Sequence, residues 1–177
     1  LEHGELDGVN PKVIVILGGT NNLSPRVAEP GGAAEMTRGM AGVLYLCRQK
    51  APGATIILTG IFPRNDNVAL LPAVAQVNES FARLADGKTV RYININDKLA
   101  DANGTLFDGM MNTDRLHPDL KGYQVWADAL KPLLTELLGP PAATDHAPPP
   151  TGDPSAAGRA TGAAAQQTPA PAPAPRQ

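Results

Sequence analysis

Three short apolar runs punctuate the first hundred residues: KVIVIL at 12–17, ATIILT at 54–59 and VRYINI at 90–95. Each is rich in β-branched residues and nearly continuous rather than alternating, the pattern of parallel strands covered on both faces. Between and after them the apolar positions recur every three or four residues. Residues 34–50 place Met36, Met40, Val43, Leu44 and Cys47 on one helical face and end at Ala51-Pro52-Gly53, a stop signal. Residues 68–85 carry Leu70, Leu71, Val74, Val77, Phe81 and Leu84, with Pro72 in the first turn, where proline is tolerated. Residues 119–138 carry Tyr123, Trp126, Ala127, Leu130, Leu134 and Leu137 and stop at Gly139-Pro140. Strand, helix, strand, helix, strand, loop, helix predicts an α/β protein: a three-layer α/β/α sandwich on a parallel sheet, its right-handed crossovers placing helices on both faces. Three strands make a thin sheet, and an edge as apolar as KVIVIL is not expected to stay bare. Further strands are therefore expected ahead of Leu1.

Composition divides the chain. Residues 140–177 hold no large apolar residue and ten of the 18 prolines. Such a stretch buries too little apolar surface to offset chain entropy, so it is expected to be a disordered Pro/Ala-rich tail, leaving 1–139 as the folded domain. A net charge of −2 with scattered Lys and Arg argues against nucleic acid as a partner, and 4% aromatics against a single-strand stacking platform. No run approaches the roughly 20 apolar residues of a membrane span. Cys47 stands alone and reads as a small buried apolar residue, not a disulfide or zinc ligand. No secretory leader is visible. With Leu1 rather than Met in first place, that leaves a cytoplasmic and an exported protein equally open.

Ligands of parallel α/β sheets sit at the carboxyl ends of the strands. Two loops are expected there. One, after the first strand, reads Gly18-Gly19-Thr20-Asn21-Asn22; the other, before the last helix, reads Asn112-Thr113-Asp114-Arg115-Leu116-His117-Pro118. Taken alone, Asn21 reads more readily as an Asx turn; the functional reading is a neutral, fixed amide donating into an oxyanion hole. Gly19, Thr20 and Asn22 would be its supporting loop. Asp114 and His117 suit a turn and helix cap with a surface histidine. That is the readier reading of the pattern alone; the functional one is a carboxylate that orients an imidazole and stabilises its protonated form. Pro118 biases His117 toward extended backbone and fits the first helical position. No G-x-G-x-x-G, Walker loop, H-E-x-x-H or C-x-x-C occurs.

Taken together and in order, these segments resemble the SGNH (GDSL-like) hydrolases, and more narrowly the bacterial relatives of platelet-activating-factor acetylhydrolase catalytic subunits. Residues 11–22 (PKVIVILGGTNN) are similar to that family's third block and residues 1–8 to the approach to it. Ile61-Phe62-Pro63-Arg64 resembles the end of its fourth strand, and Gln76-Val77-Asn78 part of the following helix. Asp114-Arg115-Leu116-His117-Pro118 with Gly122-Tyr123 resembles its fifth block. The resemblance implies that Asn21 supplies an oxyanion N–H, that His117 is the general base and that Asp114 orients it. It implies a serine nucleophile in a G-D-S block and a second oxyanion donor, a glycine, in the next block, neither of which this sequence contains. The family's fold would place two more β–α units upstream, roughly 60–80 residues at about 30 per unit. Ser24, Ser80 and Ser155 lie outside any nucleophile context.

The implied function of the full-length parent is serine-dependent hydrolysis of a small carboxylic ester, an acylated lipid or sugar. It needs no metal or organic cofactor, and its subunits are expected to pair. The 177 residues by themselves are expected to be inactive. Two rivals stand beside this: an SGNH-like binding or scaffold protein tethered by its tail, and a flavodoxin-like module holding a nucleotide or phosphate at 18–22. Arg64 reads more readily as a solvated arginine than as a site residue, Asn78 as a structural hydrogen-bonder and Trp126 as core. His3 and His146 read as surface or tail residues.

Overall fold

The computed structural model describes residue 4 and residues 6–144. His3, His146, Ser155 and the tail from residue 145 onward, with the disorder expected of it, lie outside the described residues. The elements are β1 (Val13–Leu17), α1 (Gly32–Lys50), β2 (Thr55–Thr59), α2 (Leu71–Ala82), β3 (Val90–Ile93), α3 (Asn96–Leu99) and α4 (Leu120–Leu138). The strands form one parallel sheet in the order β1-β2-β3, with Val13 opposite Thr55 and Ile56 opposite Val90.

Helices cover both faces, but the crossovers do not distribute them. Strands stepping in one direction across a sheet put successive right-handed crossovers on the same side. Accordingly α1 and α2 pack together. Met40, Leu44 and Cys47 of α1 and Val74, Val77 and Phe81 of α2 close over Ile56 and Leu58. The other face is covered by the chain that follows β3. Val125, Trp126 and Ala129 of α4 lie over Leu17, Ile93 and Ile95, and Arg91 reaches Glu136 at 2.7 Å.

Coverage thins toward β1. Ile57 in the central strand is fully buried, whereas Val15 is 39% exposed. Among the described residues the outer edge of β1 has no strand beside it. The burial on both faces expected from KVIVIL is therefore met in the middle strand and not at this edge. Cys47 is buried, and that burial pushes its thiol pKa up. No helix among the described residues is long and apolar enough to cross a membrane.

Two predicted boundaries move for local reasons. The helix expected over 68–85 opens as a 3-10 turn, Val68–Leu70, whose Ala69 N–H donates to the Asn67 side chain at 3.2 Å. The α-helix proper begins at Leu71, with Pro72 in its first turn. The strand expected over 90–95 stops at Ile93, because the Asn94 side chain accepts from Asn96 N–H at 3.0 Å and turns the chain into α3. At four residues α3 is too short to leave a periodic signal.

Candidate active site

The carboxyl ends of the strands carry three loops, and each is built by a different device. After β1 the chain turns sharply at Gly19, whose φ of 107° is left-handed. Asn22 N–H donates to Gly19 O at 3.0 Å and Leu23 N–H to Thr20 O at 3.3 Å, closing a short turn with Asn21 at its middle. A Cβ on Gly19 would come within 3.0 Å of Ile61 and 3.1 Å of Met36, so the position requires glycine for space as well as for φ. Leu23 is buried and anchors the far end.

After β2 the chain runs through Gly60, Ile61, Phe62 and Pro63 to Arg64-Asn65-Asp66. Asn78 of α2 holds this segment from below. Its carboxamide oxygen accepts Ile61 N–H at 2.7 Å and its nitrogen donates to Ile61 O at 2.8 Å. Asn96 adds a bond to the same carbonyl at 3.0 Å. Asn78 is thus the structural hydrogen-bonder expected. Asn78→Ala should cost roughly 2–4 kcal/mol, because Ile61 N–H loses its acceptor in the core and a cavity opens. Urea unfolding measures it; a cost below about 1 kcal/mol would show that another group satisfies Ile61.

Before α4 the loop 111–118 is pinched at its base by a bridge between Met111 and Pro118. Asn112, buried, organises the interior. Its N–H donates to His117 O at 2.9 Å, its carbonyl accepts Arg115 N–H at 3.0 Å, and its side chain accepts Asp114 N–H at 3.0 Å. Arg115 takes up a left-handed φ of 58° to complete the turn. The Asp114 carboxylate does two jobs with two oxygens. Oδ1 accepts the N–H groups of Leu116 and His117 at 2.8 and 2.9 Å, while Oδ2 lies 2.7 Å from His117 Nδ1. The turn and the carboxylate–imidazole pair, alternatives in the sequence, are one structure.

Desolvation is the largest single influence on Asp114 and raises its pKa. The hydrogen bonds from the imidazole and from the His117 and Leu116 N–H groups together outweigh it, so the carboxyl sits below its ordinary value. The folded protein therefore favours the carboxylate at neutral pH.

Asn21 and His117, 96 positions apart in sequence, line one cleft of about 320 Å³. Gly19, Thr20 and Asn22 line its first wall, and Leu116 and Pro118 its second. Its apolar lining is Leu17, Phe62, Tyr123 and Trp126. Phe62 meets Trp126 edge to face, centroids 5.5 Å apart at 85°. Trp126 packs on the core, as expected, and also lines the cleft. Ser24 and Ser80 do not line it; Ser80 Oγ donates to Gln76 O on α2 at 3.0 Å. A neutral amide donor and a carboxylate-linked imidazole facing one partly apolar cleft can stabilise a developing oxyanion and move a proton.

Arg64 departs from expectation. Its side chain is only 12% exposed and is gripped by Asp66 through two bonds, Nε to Oδ1 at 2.7 Å and Nη2 to Oδ2. That pairing raises the Arg64 pKa and lowers that of Asp66. Its remaining arm, Nη1, donates to Thr20 O at 3.2 Å. Asn65 went unnoticed in the sequence. Its N–H donates to Arg115 O at 3.0 Å, and its side chain bonds Gly104 O at 2.8 Å and Leu106 N–H at 2.9 Å. Three polar residues directly after the buried Ile-Phe-Pro were the available signal.

The GDSL-like Lipase/Acylhydrolase family matches residues 1–125, and the chain belongs to that family. The human platelet-activating factor acetylhydrolase IB subunit alpha1 is 31% identical over 140 residues, covering 78% of this chain and 58% of that protein. The chain thus spans a little over half the length of that curated relative. Among solved structures, one described as a platelet activating factor from Streptococcus pneumonia superposes with a TM-score of 0.57 at 24% identity, over 70% of this chain and 59% of that one. An acetyl esterase mutant crystallised with acetate ion gives 0.55 at 19%, over 72% and 58%. At these identities the two structures speak to the fold.

Proposed function

We propose that this chain carries the oxyanion and general-base half of a serine ester hydrolase site, with the nucleophile supplied by a segment outside the 177 residues. The observation that supports it most is the shared cleft of Asn21 and His117, with His117 Nδ1 held 2.7 Å from the Asp114 carboxylate. In the neutral imidazole, a hydrogen bond from Nδ1–H to the carboxylate selects the tautomer whose Nε2 lone pair can take a proton. The serine Oγ attacks the ester carbonyl carbon while Nε2 takes the hydroxyl proton. The carbonyl oxygen becomes an oxyanion, to which the Asn21 amide donates. The C–O bond to the alcohol then breaks, and the imidazolium returns its proton to the departing oxygen. Water, deprotonated in turn by His117, attacks the acyl carbonyl; the C–Oγ bond breaks, the imidazolium returns that proton to the serine Oγ, and the acid leaves.

The small cleft with aromatic and aliphatic lining suits a short acyl group, and acetyl is the group named in the 31% identical human acetylhydrolase subunit. We take the substrate to be an acetylated or similarly short-chain ester of a lipid or sugar alcohol. Residues 1–139 act as the domain that carries this half-site, with the tail outside it.

The test compares purified 1–177 with the same reading frame extended upstream, both assayed on p-nitrophenyl acetate and both treated with a fluorophosphonate probe. The 177 residues are expected to give neither turnover nor label, and the extended protein both. An extended protein that folds but neither turns over nor labels would overturn the reading in favour of a binding or scaffold role. Turnover by 1–177 at a rate typical of serine esterases would overturn the assignment of the nucleophile to another segment.

A further inference from the structure

The Asn21 turn and the His117 loop are built independently, yet an oxyanion donor and a base must keep a fixed separation to about half an ångström. Among the described residues, the hydrogen bonds that link these two loops run through the segment after β2. Arg64 bonds the first loop through Thr20 O, the carbonyl next to Asn21. Asn65, its immediate neighbour, bonds the second through Arg115 O, two residues from His117.

The strut itself is fixed at both ends. Asn78 and Asn96 hold Ile61 at its root. Asp66 grips the Arg64 guanidinium with both carboxylate oxygens, which removes the rotamer freedom that would otherwise let a long side chain wander. The Asn65 side chain is fixed by Gly104 and Leu106. A guanidinium so oriented has its Nη1 arm fixed in direction, and an N–H of that arm donates to Thr20 O.

We propose that Arg64, locked by Asp66, is a positioning residue that sets the Asn21 turn against the His117 loop, with Asn65 as the other end of the same gauge. The proposal rests on the reading of Asn21 as the oxyanion donor, but its consequences are conformational and can be read without hydrolysis. Arg64 touches no reacting atom in this scheme; it acts through Thr20 and hence through the amide of Asn21.

The experiment uses the full 177-residue chain, isotope-labelled for NMR. It reads amide exchange at Asn22 and Leu23, the order of the Asn21 carboxamide, and the ring nitrogens of His117. Arg64→Ala is expected to speed exchange at Asn22 and Leu23 about tenfold and to loosen the Asn21 carboxamide. Amide exchange in β2 and α2, away from the turn, should stay unchanged. Asp66→Ala should move the same probes in the same direction, by freeing the guanidinium. Arg64→Lys, which keeps a donor but loses the fork, should restore part of the order. Arg83→Ala, removing an exposed arginine on the far end of α2, should do nothing at Asn21. The proposal is overturned if Arg64→Ala and Asp66→Ala leave Asn21 to Leu23 unchanged. It is equally overturned if the loosening spreads evenly over the whole sheet, which would make the pair a general stabiliser. An inactive extended protein with this local pattern intact would count against the hydrolase reading alone.

Discussion

In the upstream-extended protein, His117→Ala lowers kcat on p-nitrophenyl acetate by at least about 10⁴-fold with KM nearly unchanged, since a missing base removes an interaction made only in the transition state. Asp114→Asn is expected to cost about 10²–10⁴-fold. The carboxylate holds Nδ1 at 2.7 Å and also accepts two backbone N–H groups, so the amide must lose either the imidazole or the turn. Desolvation works against the Asp114 carboxylate, but its three hydrogen bonds prevail and its pKa is lowered on folding. A depressed carboxyl contributes stability above its unfolded value, near 4, and loses that contribution as pH falls through the folded value. The difference in melting temperature between wild type and Asp114→Asn should accordingly be largest at neutral pH and close below about pH 4. Since Asp114 is ionised throughout the neutral range, any loss of activity between pH 5 and 7 reports another group. Retention of kcat within tenfold in His117→Ala would remove the imidazole from the reaction.

What could be read from the residues is what is local or periodic. The three strands and the three long helices were legible because each carries its own spacing. The Asp114–His117 pair was legible because its geometry is set within four residues, and its partner Asn21 because parallel strands deliver their loops to one edge. Helix placement was not. Periodicity says that α1 and α2 each have an apolar face, but only the order β1-β2-β3 decides that both lie on the same side of the sheet. For Arg64 and Asn65 the polar run after Ile-Phe-Pro marked the segment but not what it binds. Their partners across the site are the carbonyls of Thr20 and Arg115, and a backbone oxygen carries no mark in the sequence of who binds it. Asn78 was easier: an amide on the apolar face of a helix has to find polar partners inside, and a backbone edge is what lies there. Gly122 was noted only as part of a motif, and its reason is steric.

Gly122→Ala should destabilise the protein by about 2 kcal/mol, although alanine is the better helix former by about 1 kcal/mol. A Cβ at this position in the first turn of α4 would stand 2.0 Å from Met110 O and 3.2 Å from Pro118 Cβ. The first of these is backbone, and Met110 O already accepts Asp119 N–H at 3.1 Å, so neither partner can swing aside as a side chain would. Relief requires α4 to lift from the 110–118 segment, and that segment carries Asp114 and His117. Gly42, in the middle of α1, supplies the opposite case. It is exposed, and a Cβ there meets nothing within 4 Å, so Gly42→Ala should stabilise by about 1 kcal/mol. The two substitutions are chemically identical, and their denaturation midpoints should move in opposite directions. If both move upward, α4 does not pack on Met110 as described. The His117 loop would then owe its position to the Asn112 network and not to the helix beneath it.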